Sequence, residues 1–233
     1  MAWSEDRGFA ISAALDARMA FVRRTYAHLL AELVGVALVV YLGTQSAAMQ
    51  RLALGMNPIL VIGAFFVVAL VTRKMLEGHR SMAVQYAAAG LWVLLLGLLV
   101  TPLAIVAQVA TGSYAVLGEG AILTGCAFTG ITAYVFFTKK DFSFLRGALW
   151  MVSWLMAGFA VVSWIAGWGL GAGSSIAYSA VGVVLMGGWV LHDTSNVLHH
   201  RNVKQHVAAS VDLLIDFVYM FIHIVSILLN SRR

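Results

Sequence analysis

The chain has 233 residues, 61% of them hydrophobic and 11% charged, with a mean hydropathy of +0.90. Soluble domains hold roughly 45 to 50% apolar and 25% charged residues, so the balance excludes that class and reads as an integral membrane protein. The net charge of +5 does not indicate nucleic acid, because the basic residues are scattered between apolar segments in no aromatic-interleaved patch, and the one cysteine, Cys126, rules out an intrachain disulfide or a cysteine-based metal centre.

Residues 1–25 mix Glu5, Asp6, Arg7, Asp16, Arg18, Arg23 and Arg24 with apolar residues. Without a basic stretch followed by an uninterrupted apolar core, no cleavable signal peptide is expected. This part reads as a cytoplasmic N-terminal segment, with Phe9 to Val22 as a short amphipathic helix on the membrane surface. Residues 26–233 read as one transmembrane domain of seven spans. The first, Tyr26 to Gln45, carries His28 and Glu32 four apart and so on one face, and Glu32 there needs a partner or a wet cavity. A polar stretch with Arg51 and Pro58 leads to the second, Ile59 to Thr72, closed by Arg73 and Lys74. The next loop holds Glu77, His79 and Arg80. The third span, Ala83 to Val109, contains Pro102, which predicts a kink.

The fourth span, Ala115 to Phe137, follows a loop with no basic residue, and FTKKDFSFLRG leads into the fifth, which ends near Trp168. The glycines at 167, 169, 171 and 173 form a turn rather than a phosphate-cradling loop, since no strand precedes them. The sixth span is Ile176 to Val197. Gly118, Gly120, Gly125 and Gly130 in span four, and Gly182, Gly187 and Gly188 in span six, are expected to let helices approach closely. Basic residues cluster before span one and after spans two, four and six, and are missing after three and five, which predicts a cytoplasmic N-terminus. An odd number of spans then puts the C-terminus outside. Arg232 and Arg233 weigh against that, and a re-entrant seventh segment is the alternative.

The seventh span, His206 to Asn230, carries Asp212, Asp216 and His223. At about 100° per residue, Asp216 lies about 40° and His223 about 20° round from Asp212, so the three share one stripe. A carboxylate at the centre of a membrane helix costs roughly 2.5 to 3.5 kcal/mol, while each Leu, Ile, Phe or Val returns about 0.3 to 0.6. Two aspartates must therefore be hidden from lipid, and the expected fold is all-α, six spans around a central seventh.

Three stretches, FTKKDFSFLRG (Phe137 to Gly147), LHDTSNV (Leu191 to Val197) and ASVDLLIDFVYMF (Ala209 to Phe221), together resemble the transmembrane Bax inhibitor motif family, in its bacterial YccA-like branch. His192 stands where the family has tyrosine, Asp212 where it has a small polar residue, and Tyr219 where it has asparagine; His223 is outside its pattern. The resemblance implies an acid-sensitive calcium leak in the bacterial inner membrane. Its gate would be the aspartate pair Asp193 and Asp216, with Arg73, or alternatively Arg80, as a latch. It also implies a second, non-transporting reading: suppression of cell death or modulation of a membrane-bound protease.

Physical chemistry says how such a pair would work. Two neighbouring carboxylates in a poorly hydrated site cannot both ionise cheaply, so they form a proton switch near neutral pH. Deprotonated, they offer hard oxygens to Ca²⁺, the transported or sensed ion; protonated, they lose it. Asp193 and Asp216 are the candidate ligands, with Asp212, His223, Tyr219 and Glu32 as pore-lining candidates. No catalytic residue and no tightly bound cofactor is expected. The partners are the lipid bilayer, Ca²⁺ and H⁺. Three enzyme or pump readings fit less well. No glycine-x-glycine precedes Asp216, as an intramembrane aspartyl protease would need. A zinc hydrolase would need His192, His199, His200, His206 and His223 aligned across a helix break. A retinal pump needs a buried lysine, and Lys74, Lys139, Lys140 and Lys204 all sit at span ends.

Overall fold

The structure, a computed structural model, describes residues 10, 13–55, 58–76, 80–167 and 172–232. Glu5, Asp6, Arg7, Phe9, Glu77, His79 and the glycines at 169 and 171 lie outside them. The described residues form eight α-helices: α1 (Leu15–Gln45), α2 (Ala47–Gly55), α3 (Pro58–Met75), α4 (Met82–Thr111), α5 (Ala115–Thr138), α6 (Arg146–Ile165, entered through a 3₁₀ turn at Ser143–Leu145), α7 (Ala172–His199) and α8 (His206–Ser231). Among these, α1, α4, α5, α6, α7 and α8 are long and apolar enough to cross a membrane. Large apolar side chains on their outer faces, such as Leu38, Ile122, Leu155 and Val184, are exposed, as lipid-facing residues are. The chain is an all-α membrane protein.

Two elements differ from expectation. Among the described residues no separate surface helix precedes the first span, because α1 starts at Leu15 and runs on unbroken. Its buried residues Phe21, Thr25, Leu29, Glu32 and Val36 follow one another at three- and four-residue steps, so a single stripe continues through the junction near Tyr26, where no Gly or Pro interrupts the helix. The stretch after the first span is helical too. The amide of Met49 donates to the Ser46 hydroxyl at 3.4 Å, a side-chain cap that restarts the backbone as α2. Helix α4 continues through Pro102.

The chain divides into two compact units, residues 1–106 with 197–215, and residues 107–196 with 216–233. In the first, α1 and α4 run parallel in constant register. A Cβ on Gly35 would meet Val93, one on Gly43 would meet Thr101, and Gly97 lies against Val39. The chain must therefore cross back between α1 and α4, which identifies the 18-residue α3 as the expected second span. Helix α3 is tied to α4 by Trp92, whose ring meets Phe65 edge-on at 4.9 Å and whose indole N–H donates to the Thr72 hydroxyl at 3.0 Å. Both partners of that bond are buried. Thr72→Val is expected to strand the indole N–H and to cost about 1 to 3 kcal/mol, with Thr72→Ser close to neutral, as read by thermal unfolding in detergent. Equal stability of the two variants would refute the bond.

In the second unit, the last half of α8 runs antiparallel to α5 and α7. Phe217 meets Phe128 and Val225 lies over Gly120; His223 lies over Gly182, and Asn230 donates to Ser175 at the start of α7 at 3.2 Å. Helix α8 thus crosses in one run and is not re-entrant. Arg232 pairs with Glu119 near the start of α5, while Arg233 lies outside the described residues. At the other end, the loop after α5 docks on α7. Lys139 takes a left-handed φ of 52° just past α5, Asp141 accepts the Ser143 amide at 2.9 Å, and the Phe142 amide donates to Ser195 at 2.9 Å. Two of the stretches that carry the resemblance therefore touch. In a Cys126→Ser background, cysteines placed at Lys140 and at Arg232 are expected to react with an impermeant maleimide from opposite sides of sealed vesicles. Labelling of both from one side would refute the crossing.

Candidate functional site

Asp193 lies near the end of α7, where the helix still presents side chains to the interior. His192 Nδ1 donates to Asp193 Oδ1 at 2.8 Å, and Asn196 Nδ2 donates to the same oxygen at 3.2 Å. The other oxygen, Oδ2, takes no hydrogen bond among the described residues. The Asp193 side chain is 16% exposed and that of His192 5%. Trp189 closes over His192 edge-on at 5.5 Å, and its own N–H donates to Ser153. The result is a carboxylate held in one orientation with one oxygen available. His192, where the related pattern has tyrosine, is thus a direct partner of the candidate gate, which the linear pattern did not reveal. The spacing His192, Asp193, Asn196 on one helix was the available signal.

Asp216 lies in the apolar middle of α8 and is 5% exposed. It is flanked by Phe217, which packs on Phe128 of α5. Tyr219 lies one turn on. His223 is half-buried, pressed against Gly182 with its ring 5.9 Å from that of Tyr178. Asp193, Asp216, Tyr219 and His223 all belong to the second unit.

The remaining candidates belong to the first. Asp212 pairs with Arg201, in the connection between α7 and α8. Glu32 is buried, as is Ser210, whose hydroxyl donates to its Oε1 at 2.8 Å. Arg73 is exposed on the last turn of α3, with no ion pair among the described residues, and Arg80 is exposed beyond it. No group of three His, Cys, Asp or Glu side chains suited to a metal occurs among the described residues.

The sequence profile of the family described as "Inhibitor of apoptosis-promoting Bax1" matches residues 18–233. The "Golgi anti-apoptotic protein" of Vaccinia virus (strain Lister) is 25% identical over 95% of this chain and 90% of its own length. An "Uncharacterized membrane protein" of Vibrio cholerae is 28% identical over 78% and 80%, and "Bax inhibitor 1" of Schizosaccharomyces pombe is 27% identical over 91% and 76%. With its helical membrane architecture, its docked lysine-aspartate-phenylalanine-serine loop and a profile match along nearly the whole length, the chain belongs to the Bax inhibitor family.

Proposed function

We propose that this protein is a proton-sensitive leak path for cations, with Ca²⁺ as the cargo, in a bacterial inner membrane with the N-terminus in the cytoplasm. The observation that carries the reading is the placement of Asp216, a carboxylate nine-tenths buried in an apolar span, where a purely structural helix would carry a leucine. Asp193, with Oδ1 fixed by two donors and Oδ2 open, is the second hard ligand. Ca²⁺ and H⁺ compete for these oxygens, so the ion leaves or passes as the pair takes up a proton. The resemblance gives Arg73 as the latch that stands in for the cation, with Arg80 as its alternative. Tyr219 and His223, with Asp212 and Glu32, are the further pore-lining candidates. The deciding measurement is Ca²⁺ efflux from liposomes across pH, with the wild-type chain and with Asp216→Asn.

The names of two relatives, an anti-apoptotic protein and a Bax inhibitor, favour a second reading: a non-transporting regulator that suppresses cell death. Surfaces would then carry the activity. An Asp193→Asn, Asp216→Asn double variant with full cellular activity and no flux phenotype would favour this reading over the leak.

A further inference from the structure

Helices α1 and α8 begin on the same side and face each other in one register. His28 lies against His206, with ring centroids 4.9 Å apart, and one turn further in Ser210 bonds Glu32 at 2.8 Å. Each helix thus contributes two polar residues four apart to a seam otherwise walled by Leu29, Val36, Val207, Val211 and Leu214, all buried. On one flank, Tyr86 of α4 stacks on His28 and lies 3.2 Å from its Nε2, while His28 Nδ1 donates to the Arg24 carbonyl at 2.7 Å. With Nδ1 protonated, Nε2 accepts from the tyrosine hydroxyl, so His28 is satisfied as a neutral ring.

Two groups in the seam lack a partner among the described residues: Glu32 Oε2 and His206 Nδ1, both buried. Glu32 and His206 are each more than nine-tenths buried. Each such group forfeits roughly 1 to 3 kcal/mol if nothing supplies a partner. A proton held between a carboxylate oxygen and a ring nitrogen would satisfy both. Of the charged or titratable groups on the helices packed here, Asp212 on α8 acts on Glu32, His28 and Arg24 on α1 act on His206, and Tyr86 on α4 stacks on His28. Asp212 repels a charge on Glu32 and is itself paired with Arg201, while Arg24 and His28 face His206. No cation is therefore committed to Glu32.

We propose that this seam is a proton-binding site, with Glu32 Oε2 as the acceptor and His206 Nδ1, directly or through one internal water, as the group that exchanges the proton with the aqueous end of α8. A proton on Oε2 makes that oxygen a donor for His206 Nδ1 or for the water between them, and Ser210 continues to hold Oε1. Ser210 is four residues, or about 6 Å, in from the start of α8, so one imidazole and one water span the distance to solvent. The site uses none of the residues of the aspartate pair and stands whether or not the protein conducts Ca²⁺.

The test is acid-minus-alkaline difference infrared spectroscopy of the protein in liposomes, in an Asp216→Asn background that removes that carboxyl's own signal. A protonated-carboxyl C=O band is expected, and Glu32→Gln is expected to abolish it. Ser210→Ala is expected to keep the band and move it to higher wavenumber, because the C=O group loses its hydrogen bond. A band unaffected by Glu32→Gln, or no carboxyl band at any pH, would overturn the proposal. If Glu32→Gln does not fold, Ser210→Ala decides: a displaced band supports the site and an unmoved one refutes it.

Discussion

Asp216→Asn is expected to flatten the pH profile of Ca²⁺ efflux from liposomes, leaving a flux that no longer responds to protons across the range where the wild-type responds. Asparagine keeps the size and shape of the side chain, so α8 and its contacts with Phe128 and Gly182 persist, but the group can neither ionise nor accept a proton. In the wild-type, a single proton that competes with the ion can change occupancy by up to about tenfold per pH unit. The variant loses that slope, along with most of the site's attraction for a divalent ion. Asp193→Asn should act in the same direction but differently in degree. Asp193 sits nearer the end of its helix and is already oriented by His192 and Asn196, so amide substitution also disturbs those two donors. An unchanged profile in Asp216→Asn would remove the aspartate from any gating role, and with it the leak mechanism proposed above.

How far the sequence could be read depended on whether a feature was local or required two helices to meet. Span positions followed from hydropathy, because that signal is carried within single segments. The last span could be read as a core element from its three ionisable residues alone, and its packing on α1, α5 and α7 agrees. The need of Glu32 for a partner was also legible. That the partner is Ser210 was not, since the bond depends on the parallel register of α1 and α8, 178 residues apart in sequence. Arg201 escaped notice for a similar reason. It sits among the histidines of a loop that reads as solvated, and only the turn back into α8 brings it to Asp212. The start of α1 was misplaced because charge was taken as a boundary. Asp16, Arg23 and Arg24 lie on the exposed side of a helix whose buried stripe runs straight past them.

The same limit applies to the glycines, where one substitution is expected to have opposite signs at two positions. All seven glycines in spans four and six read alike, as small residues that permit close packing. Yet a Cβ on Gly125 would meet nothing within 4 Å, whereas one on Gly182 would lie 2.4 to 2.5 Å from three atoms of the His223 ring. Gly125→Ala therefore adds only helix propensity and is expected to stabilise, by up to about 1 kcal/mol. Gly182→Ala gains the same propensity but forces the imidazole out of its place between α7 and α8, where Tyr178 of α7 closes off one direction of retreat. Overpacking of this kind costs typically about 1 to 3 kcal/mol, more than the propensity gain, so the net change is a loss. Thermal unfolding in detergent should order the proteins Gly125→Ala, wild-type, Gly182→Ala from most to least stable. Adding His223→Ala to Gly182→Ala should recover stability relative to the single glycine variant, a coupling that only residues in contact can produce. If Gly182→Ala is as stable as the wild-type, or if His223→Ala fails to rescue it, then α7 and α8 do not meet at this ring. The antiparallel pairing that carries Asp216 into the second unit would then have to be abandoned.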